Sequence, residues 1–326
     1  MFPSFFAKDT AVRMKWLRAA ALACALSSGA VTASVAPETF DFALIGDLPY
    51  SDYEEAQFLR MKEQIDKTDL AFVVHDGDFK SGWSECSDEL YQQRLELFNS
   101  FSHPFIFIFG DNDWLDCDRA FFARAHDPME RLTMLRKMFT QGDTSLGRRT
   151  IKLERQSEQK GYELFRENVR WSLGGVTFVG LHIIGGHNNL RAGAEAYREY
   201  SQRNQANLAW LKQSFAQARE RNAHAVMVII QANPRFESKR KYRKGFNDFL
   251  DLLEQQVIDF AKPVVLVHGD THTFQINKPL KDSRTNQTLE NFTRVETFGS
   301  PTVRWIKATV DANDPQVFRF QPMEIE

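Results

Sequence analysis

Four aspartates are the residues whose type and spacing most plainly suggest chemistry. Asp47 follows Gly46, Asp78 ends His75-Asp76-Gly77-Asp78, Asp111 follows Gly110, and Asp270 lies in His268-Gly269-Asp270-Thr271-His272. Each comes directly after a short apolar run, where a buried strand hands the chain to a turn. A single turn aspartate commonly caps the next helix or bonds its own backbone. Four at one edge are different, because they repel one another unless cations neutralise them or several pKa values rise. Metal is the simpler account. His272, two residues beyond Asp270, points to the same side of an extended segment and gives a mixed ligand pair. Two divalent ions at such a site clamp a phosphoryl group and activate water.

The elements that must position these residues form a repeating phrase. From residue 40 onward an apolar run leads into an Asp-rich turn and then a helix-period segment, the pattern of βα units and a largely parallel sheet. Strands are expected at 40–45, 70–74 and 105–109, with helices at 53–67, at 87–101 behind a Ser87 cap, and over 119–139 with an interruption near Pro128. Residues 140–160 are polar and turn-rich and read as a surface excursion bordering the site. A hairpin over 169–173 and 176–181 turns at Gly174-Gly175. A long helix to about 221, a strand at 225–230, a helix at 245–260 and a strand at 263–267 follow. Segments 274–277, 294–298 and 303–310 alternate like antiparallel strands. In an open α/β sheet, ligands gather outside the carboxyl ends of the strands, where all four aspartates fall.

Composition narrows the function classes. With 326 residues and 43% hydrophobic content the chain can bury a full core. Its 41 basic and 43 acidic residues nearly cancel, which argues against a protein relying on a long-range basic field for nucleic acid or membrane. A small phosphorylated substrate must then be met by local groups. Arg13, Lys15 and Arg18 precede the apolar run 19–26 and small residues suited to cleavage near 33 or 36, so 1–36 reads as a signal peptide and 37–326 as one mature domain. That run is too short for a permanent membrane span. Export to the periplasm or medium is expected, and there Cys86 and Cys117 are expected to form a disulfide.

The order of motifs resembles the calcineurin-like metallophosphoesterase superfamily over roughly residues 41–310. The resemblance implies an α/β/β/α sandwich of two mixed β-sheets flanked by helices, and a dinuclear metal site. The family pattern is Asp-x-His, Gly-Asp, Gly-Asn-His-Asp/Glu, an isolated His and Gly-His-x-His after successive strands. Matched to it, Asp47 is the first ligand, Pro49 stands in place of the first histidine, and Asp78 is the bridging carboxylate. Asp111 replaces the metal-binding Asn, Asn112 the histidine that assists the leaving group, Gln231 the isolated histidine, and Asp270 the first histidine of the last motif; His272 is retained. The implied metal set is Asp47, Asp78, Asp111, Gln231, Asp270 and His272. Oxygen dominates it, which favours Mn²⁺, Mg²⁺ or Ca²⁺ over Zn²⁺ or Fe.

With Asn112 in the acid's place, His75, His182, His187 and Asp113 are the candidates to supply a proton. His187, Asn188 and Asn189, in a glycine-containing loop, together with Lys80 and Arg235, are the candidates to hold phosphate oxygens. The function implied is hydrolysis of a phosphate mono- or diester by a metal-activated hydroxide. The competing reading is a non-catalytic, metal-stabilised binding protein on the same fold, kept open by Pro49 and Asn112.

Overall fold

The computed structural model describes residues 39–119 and 124–325; the expected signal peptide lies outside them. Strand β1 (Thr39–Ile45) shows how the layers arise, because alternate side chains of a strand face opposite ways. Ala43 and Ile45 enter one buried cluster, with Phe58, Met61, Tyr91, Phe98 and Leu135 of the neighbouring helices. Phe42 and Leu44 enter a second, with Phe178, Met227, Ile229 and Val267 of the other sheet. The far face of that second sheet sends Val226, Val228, Val264 and Leu266 into a third cluster with Trp210, Phe215, Leu253 and Val257. Three apolar layers therefore alternate with two sheets, giving the expected α/β/β/α sandwich.

The first sheet joins β1, β2 (Val73–His75) and β3 (Phe105–Phe107) in parallel, and adds β11 (Trp305–Asp311) and β12 (Phe318–Met323) antiparallel, in the order β12-β11-β1-β2-β3. Register places Phe42 opposite Ala308 and Leu44 opposite Ile306. The second sheet runs β4 (Glu154–Arg155), β5 (Val169–Leu173), β6 (Val176–Gly180), β7 (Ala225–Ile229), β8 (Val264–His268), β10 (Phe292–Glu296), β9 (Gln275–Asn277). Among the described residues, five helices cover the outer faces: α1 (Asp52–Lys67), α2 (Asp88–Asn99), α3 (Pro128–Phe139), α4 (Ala194–Glu220) and α5 (Asn247–Phe260). Ser87 caps α2, accepting from Leu90 N at 3.2 Å. Asp127 caps α3 ahead of Pro128, which suits the first helical position because it lacks an N–H.

Three expectations change. The segment expected at 294–298 as an antiparallel strand is β10, and it pairs parallel to β8 with β9 on its outer edge; alternation reports burial, not direction. Strand β12 was not expected, because Arg319, Gln321 and Pro322 break the apolar pattern, as an edge strand permits. Of the polar excursion 140–160, the first half is largely exposed, but β4 joins the sheet edge and Arg155 and Gln156 are buried. Arg155 donates to the carbonyls of Gly142, Thr144 and Arg166, which holds the excursion down. Cys86 and Cys117 are joined in a disulfide, tying the loop after β2 to the segment after β3.

Candidate metal centre

Asp47, Asp78 and Asp111 follow β1, β2 and β3, and Asp270 follows β8, so both sheets feed one edge. Four of the site residues hold left-handed backbone: Asp47 (φ 50°), Asp78 (φ 59°), Asp270 (φ 76°) and His272 (φ 57°). Few residues other than glycine adopt this region, and Asp and His do so more readily than most. Such conformations cost about 1–3 kcal/mol each and persist where the surroundings over-determine them. Asp113 is one such determinant: its carboxylate accepts from Gly110 N, Asp78 N and Phe79 N, clamping the loops after β2 and β3 together. Gly110 permits the approach, since a Cβ there would lie 1.9 Å from Asp78 Oδ1.

The side chains converge. Asp270 N donates to Asp47 Oδ2 at 3.0 Å, and His272 Nε2 stands 3.4 Å from Asp47 Oδ1. His272 Nδ1 lies 2.6 Å from Ser300 O and so carries a proton, which leaves Nε2 facing the carboxylates. Asp111 Oδ1 and Asp270 Oδ1 lie 2.5 and 2.6 Å from the point a Gly185 Cβ would occupy. Asp111 Oδ1 is buried without a hydrogen-bond partner. Between the carboxylates stands Tyr50, its Oη 3.4 Å from Asp47 Oδ1 and Asp78 Oδ2 and 3.5 Å from His272 Nε2.

Burial first, then the neighbouring carboxylates, push Asp78 and Asp111 well above the usual carboxylate range. The same two causes raise Asp270 to about 7. Burial lowers His272, but the hydrogen bond and charge of Asp47 prevail and lift it to about 9. Among the described residues, no three His, Cys, Asp or Glu side chains form a ready ligand cluster. The donor set nonetheless suits hard divalent cations, because it is buried, oxygen-rich, anionic and carries an unsatisfied carboxylate oxygen.

Two mixed sheets between helices also occur in solved structures. That of PhoD superposes with a TM-score of 0.53 at 11% identity, covering 85% of this chain and 65% of that one. The fold is that of the calcineurin-like metallophosphoesterases. A purple acid phosphatase, PPD1, from yellow lupin (Lupinus luteus) seeds matches at a TM-score of 0.47 and 11% identity, over 87% of this chain and 53% of that one. A Vps29 single mutant from Entamoeba histolytica matches at 0.27 and 10%, over 88% and 99%. This chain spans less than two thirds of the length of the first two. No family model and no curated protein matches the sequence.

Within this metallophosphoesterase fold the other expected site residues separate. Gln231 reaches the cluster with its amide nitrogen, donating to Asp78 Oδ2 at 3.0 Å, while its oxygen accepts from Gly185 N at 2.6 Å. It therefore serves the central carboxylate as a donor. Asn112 borders the site, giving its backbone N–H to Asp78 Oδ1 and its amide to Tyr50 Oη, each at 3.0 Å.

His75 is turned away from the cluster: it packs against Phe98, Phe105 and Phe107, with one ring nitrogen on Leu48 O and the other accepting from Gly77 N. His182 is buried too. Trp114 Nε1 can only donate, so His182 Nε2 accepts from it and Nδ1 carries the proton to Glu167 Oε1. Neither histidine has a free nitrogen with which to protonate a leaving group.

Lys80 is buried rather than open to a substrate; its Nζ donates to Ser81 O among Asp113, Asp78 and Asp116. Asn188 and Asn189 are buried as well, spent on Gly245 O and Glu199. His187 and Arg235 remain accessible. Tyr50 is the residue the motif reading missed. The available signal was a tyrosine beside Pro49, three residues after Asp47, in a turn that already lacked a donor.

Proposed function

We propose that this chain hydrolyses a phosphate mono- or diester at a dinuclear divalent-metal centre held by Asp47, Asp78, Asp111, Asp270 and His272, with Tyr50 Oη as a further oxygen donor. The observation that carries the reading is the convergence of four carboxylates, one with an unpartnered buried oxygen, at the strand-end edge of a metallophosphoesterase fold. The chemistry such ions supply is neutralisation of phosphoryl charge and activation of water. Asp78, between the two halves of the cluster, suits the bridging position, and Gln231 fixes its carboxylate orientation. Ser300 O fixes the His272 tautomer that presents Nε2. Oxygen ligands favour Mn²⁺, Mg²⁺ or Ca²⁺.

Asn112, in the place of the acid, is an amide, and His75 and His182 are committed elsewhere. The substrates are therefore those whose leaving groups depart without protonation, and aryl phosphates should exceed alkyl phosphates in rate. The same observation favours, as the second reading, a non-catalytic binding protein. We also infer export, on the basic and apolar N-terminal run and the Cys86–Cys117 disulfide.

Turnover of aryl phosphate mono- and diesters by chelated protein, with each divalent metal restored in turn, decides between the readings. Metal-dependent turnover that Asp78→Ala abolishes is expected. Equal, negligible turnover by both proteins with every metal would sink the enzyme reading.

A further inference from the structure

The segment from Pro234 to Phe246 holds Arg235, Lys239, Arg240, Lys241, Arg243 and Lys244 against one carboxylate, Glu237. Glu237 is taken by Arg294 at 2.6 Å, and Arg240 is neutralised by both oxygens of Asp251. Among the described residues, Arg235, Lys241 and Lys244 pair with no carboxylate. These three meet His187 and Tyr242 around a cavity of about 390 Å³ whose lining contains no acidic side chain. Leu190 supplies an apolar patch of the wall, and the exposed Tyr242 ring lies under Lys241 Nζ at 4.7 Å.

The cavity is fastened to the metal edge at two places. The turn that begins at Gly185, against Asp111 and Asp270, runs in left-handed backbone from Gly186 to Asn189, and its His187 lines the cavity. Asn188 Nδ2 donates to Gly245 O at 3.1 Å, and a Cβ on Gly245 would meet His187 O at 2.0 Å, so turn and basic segment are in direct contact. On the other side, Asn233 N donates to Asp270 Oδ2 at 3.1 Å, and its Oδ1 accepts from Arg235 N at 2.9 Å.

We propose that this cavity receives a second phosphoryl group of the substrate, so that the preferred substrates are small molecules bearing two phosphates. This rests on the phosphoesterase reading, which places the first phosphate at the metal edge. Three unpaired cations beside an anionic, metal-demanding edge divide the site into two halves of opposite need. A dianionic group settles against Arg235, Lys241 and Lys244, while Tyr242 covers the linking portion. A mononucleotide or simple monoester fills only one half.

Calorimetric titration of the purified protein, in buffer containing Mn²⁺, with alkanediol monophosphates and bisphosphates of increasing spacer length tests this. For at least one spacer the bisphosphate should bind about tenfold tighter or more, a difference of about 1.4 kcal/mol. Lys241→Ala/Lys244→Ala should remove most of that advantage, and Lys241→Arg/Lys244→Arg should keep it. Equal affinities for the mono- and bisphosphate at every length overturn the proposal, as does an advantage that survives in the double alanine variant. Hydrolysis of aryl phosphates by the same protein, followed in parallel, separates the two claims: bisphosphate preference without aryl phosphate turnover defeats the phosphoesterase reading alone, and aryl phosphate turnover without bisphosphate preference defeats this subsite alone.

Discussion

Two buried charged regions of this protein are built on opposite electrostatic plans. Around His182, every acid has its cation: Glu167 accepts from Arg136 Nε at 2.9 Å and from His182 Nδ1 at 2.9 Å, and Glu199 is paired with Arg203 at 2.5 Å. Burial opposes ionisation there, yet the paired cations hold Glu167 and Glu199 below the usual carboxylate range. At the strand-end edge the same burial meets four carboxylates and few cations, and Asp78, Asp111 and Asp270 shift upward. Burial alone therefore marks neither region as functional. What separates them is whether the chain supplies its own counter-charge: the region around His182 does, and the strand-end edge does not.

The comparison can be broken from either side. The largest effect should come from the self-neutralised region: Glu167→Ala leaves Arg136 and His182 without their buried partner. Removing one member of a buried pair costs about 3–5 kcal/mol. Thermal and denaturant unfolding should show it, and a cost below about 1 kcal/mol, the range of an exposed pair, would mean the network is not holding the fold.

At the metal edge the sign reverses. Asp270 keeps its proton up to about 7 in the fold, against 3.8 ordinarily. Its stabilising contribution in metal-free protein is therefore complete below about pH 4 and is lost as pH rises through 7. Asp270→Asn, which cannot ionise, should gain on wild type across that interval, on the order of 2 kcal/mol after discounting for partial exposure. Chelated protein unfolded at about pH 4.5 and at about pH 8 should show the gap opening only at the higher value; a constant gap would contradict the raised pKa.

The smallest of the three effects concerns Tyr50. Tyr50→Phe keeps the ring and removes the oxygen that stands between Asp47, Asp78 and His272. Metal affinity should fall about tenfold, or about 1.4 kcal/mol, with little change in metal-free stability. An unchanged affinity would reduce Tyr50 to a hydrogen-bonding bystander of Asn112.

The same contrast explains what was legible in the sequence. The aspartates could be read because a strand followed by Gly-Asp fixes both their place and their register, and His272 followed from its spacing to Asp270. His75 and His182 could not, because proximity to a motif does not tell which way a strand-end side chain turns. Both turn into packed interiors, where their partners, Leu48, Trp114 and Glu167, come from distant segments. Lys80 reads as a surface cation until the acids around it are known. Tyr50 was hidden for the converse reason, since its role depends on three loops converging over it. In the fold, βα units were clear from periodicity, while β4 and β12 were obscured because edge strands tolerate polar residues and proline.

The most direct test of the account is calorimetric titration of Mn²⁺ into chelated wild type and Asp78→Asn, the variant that alters the carboxylate at the centre of the cluster. The account predicts close to two equivalents bound by wild type and affinity lower by about 100-fold or more in the variant, a loss of about 2.7 kcal/mol. Absence of binding by wild type, or equal binding by both proteins, would contradict it.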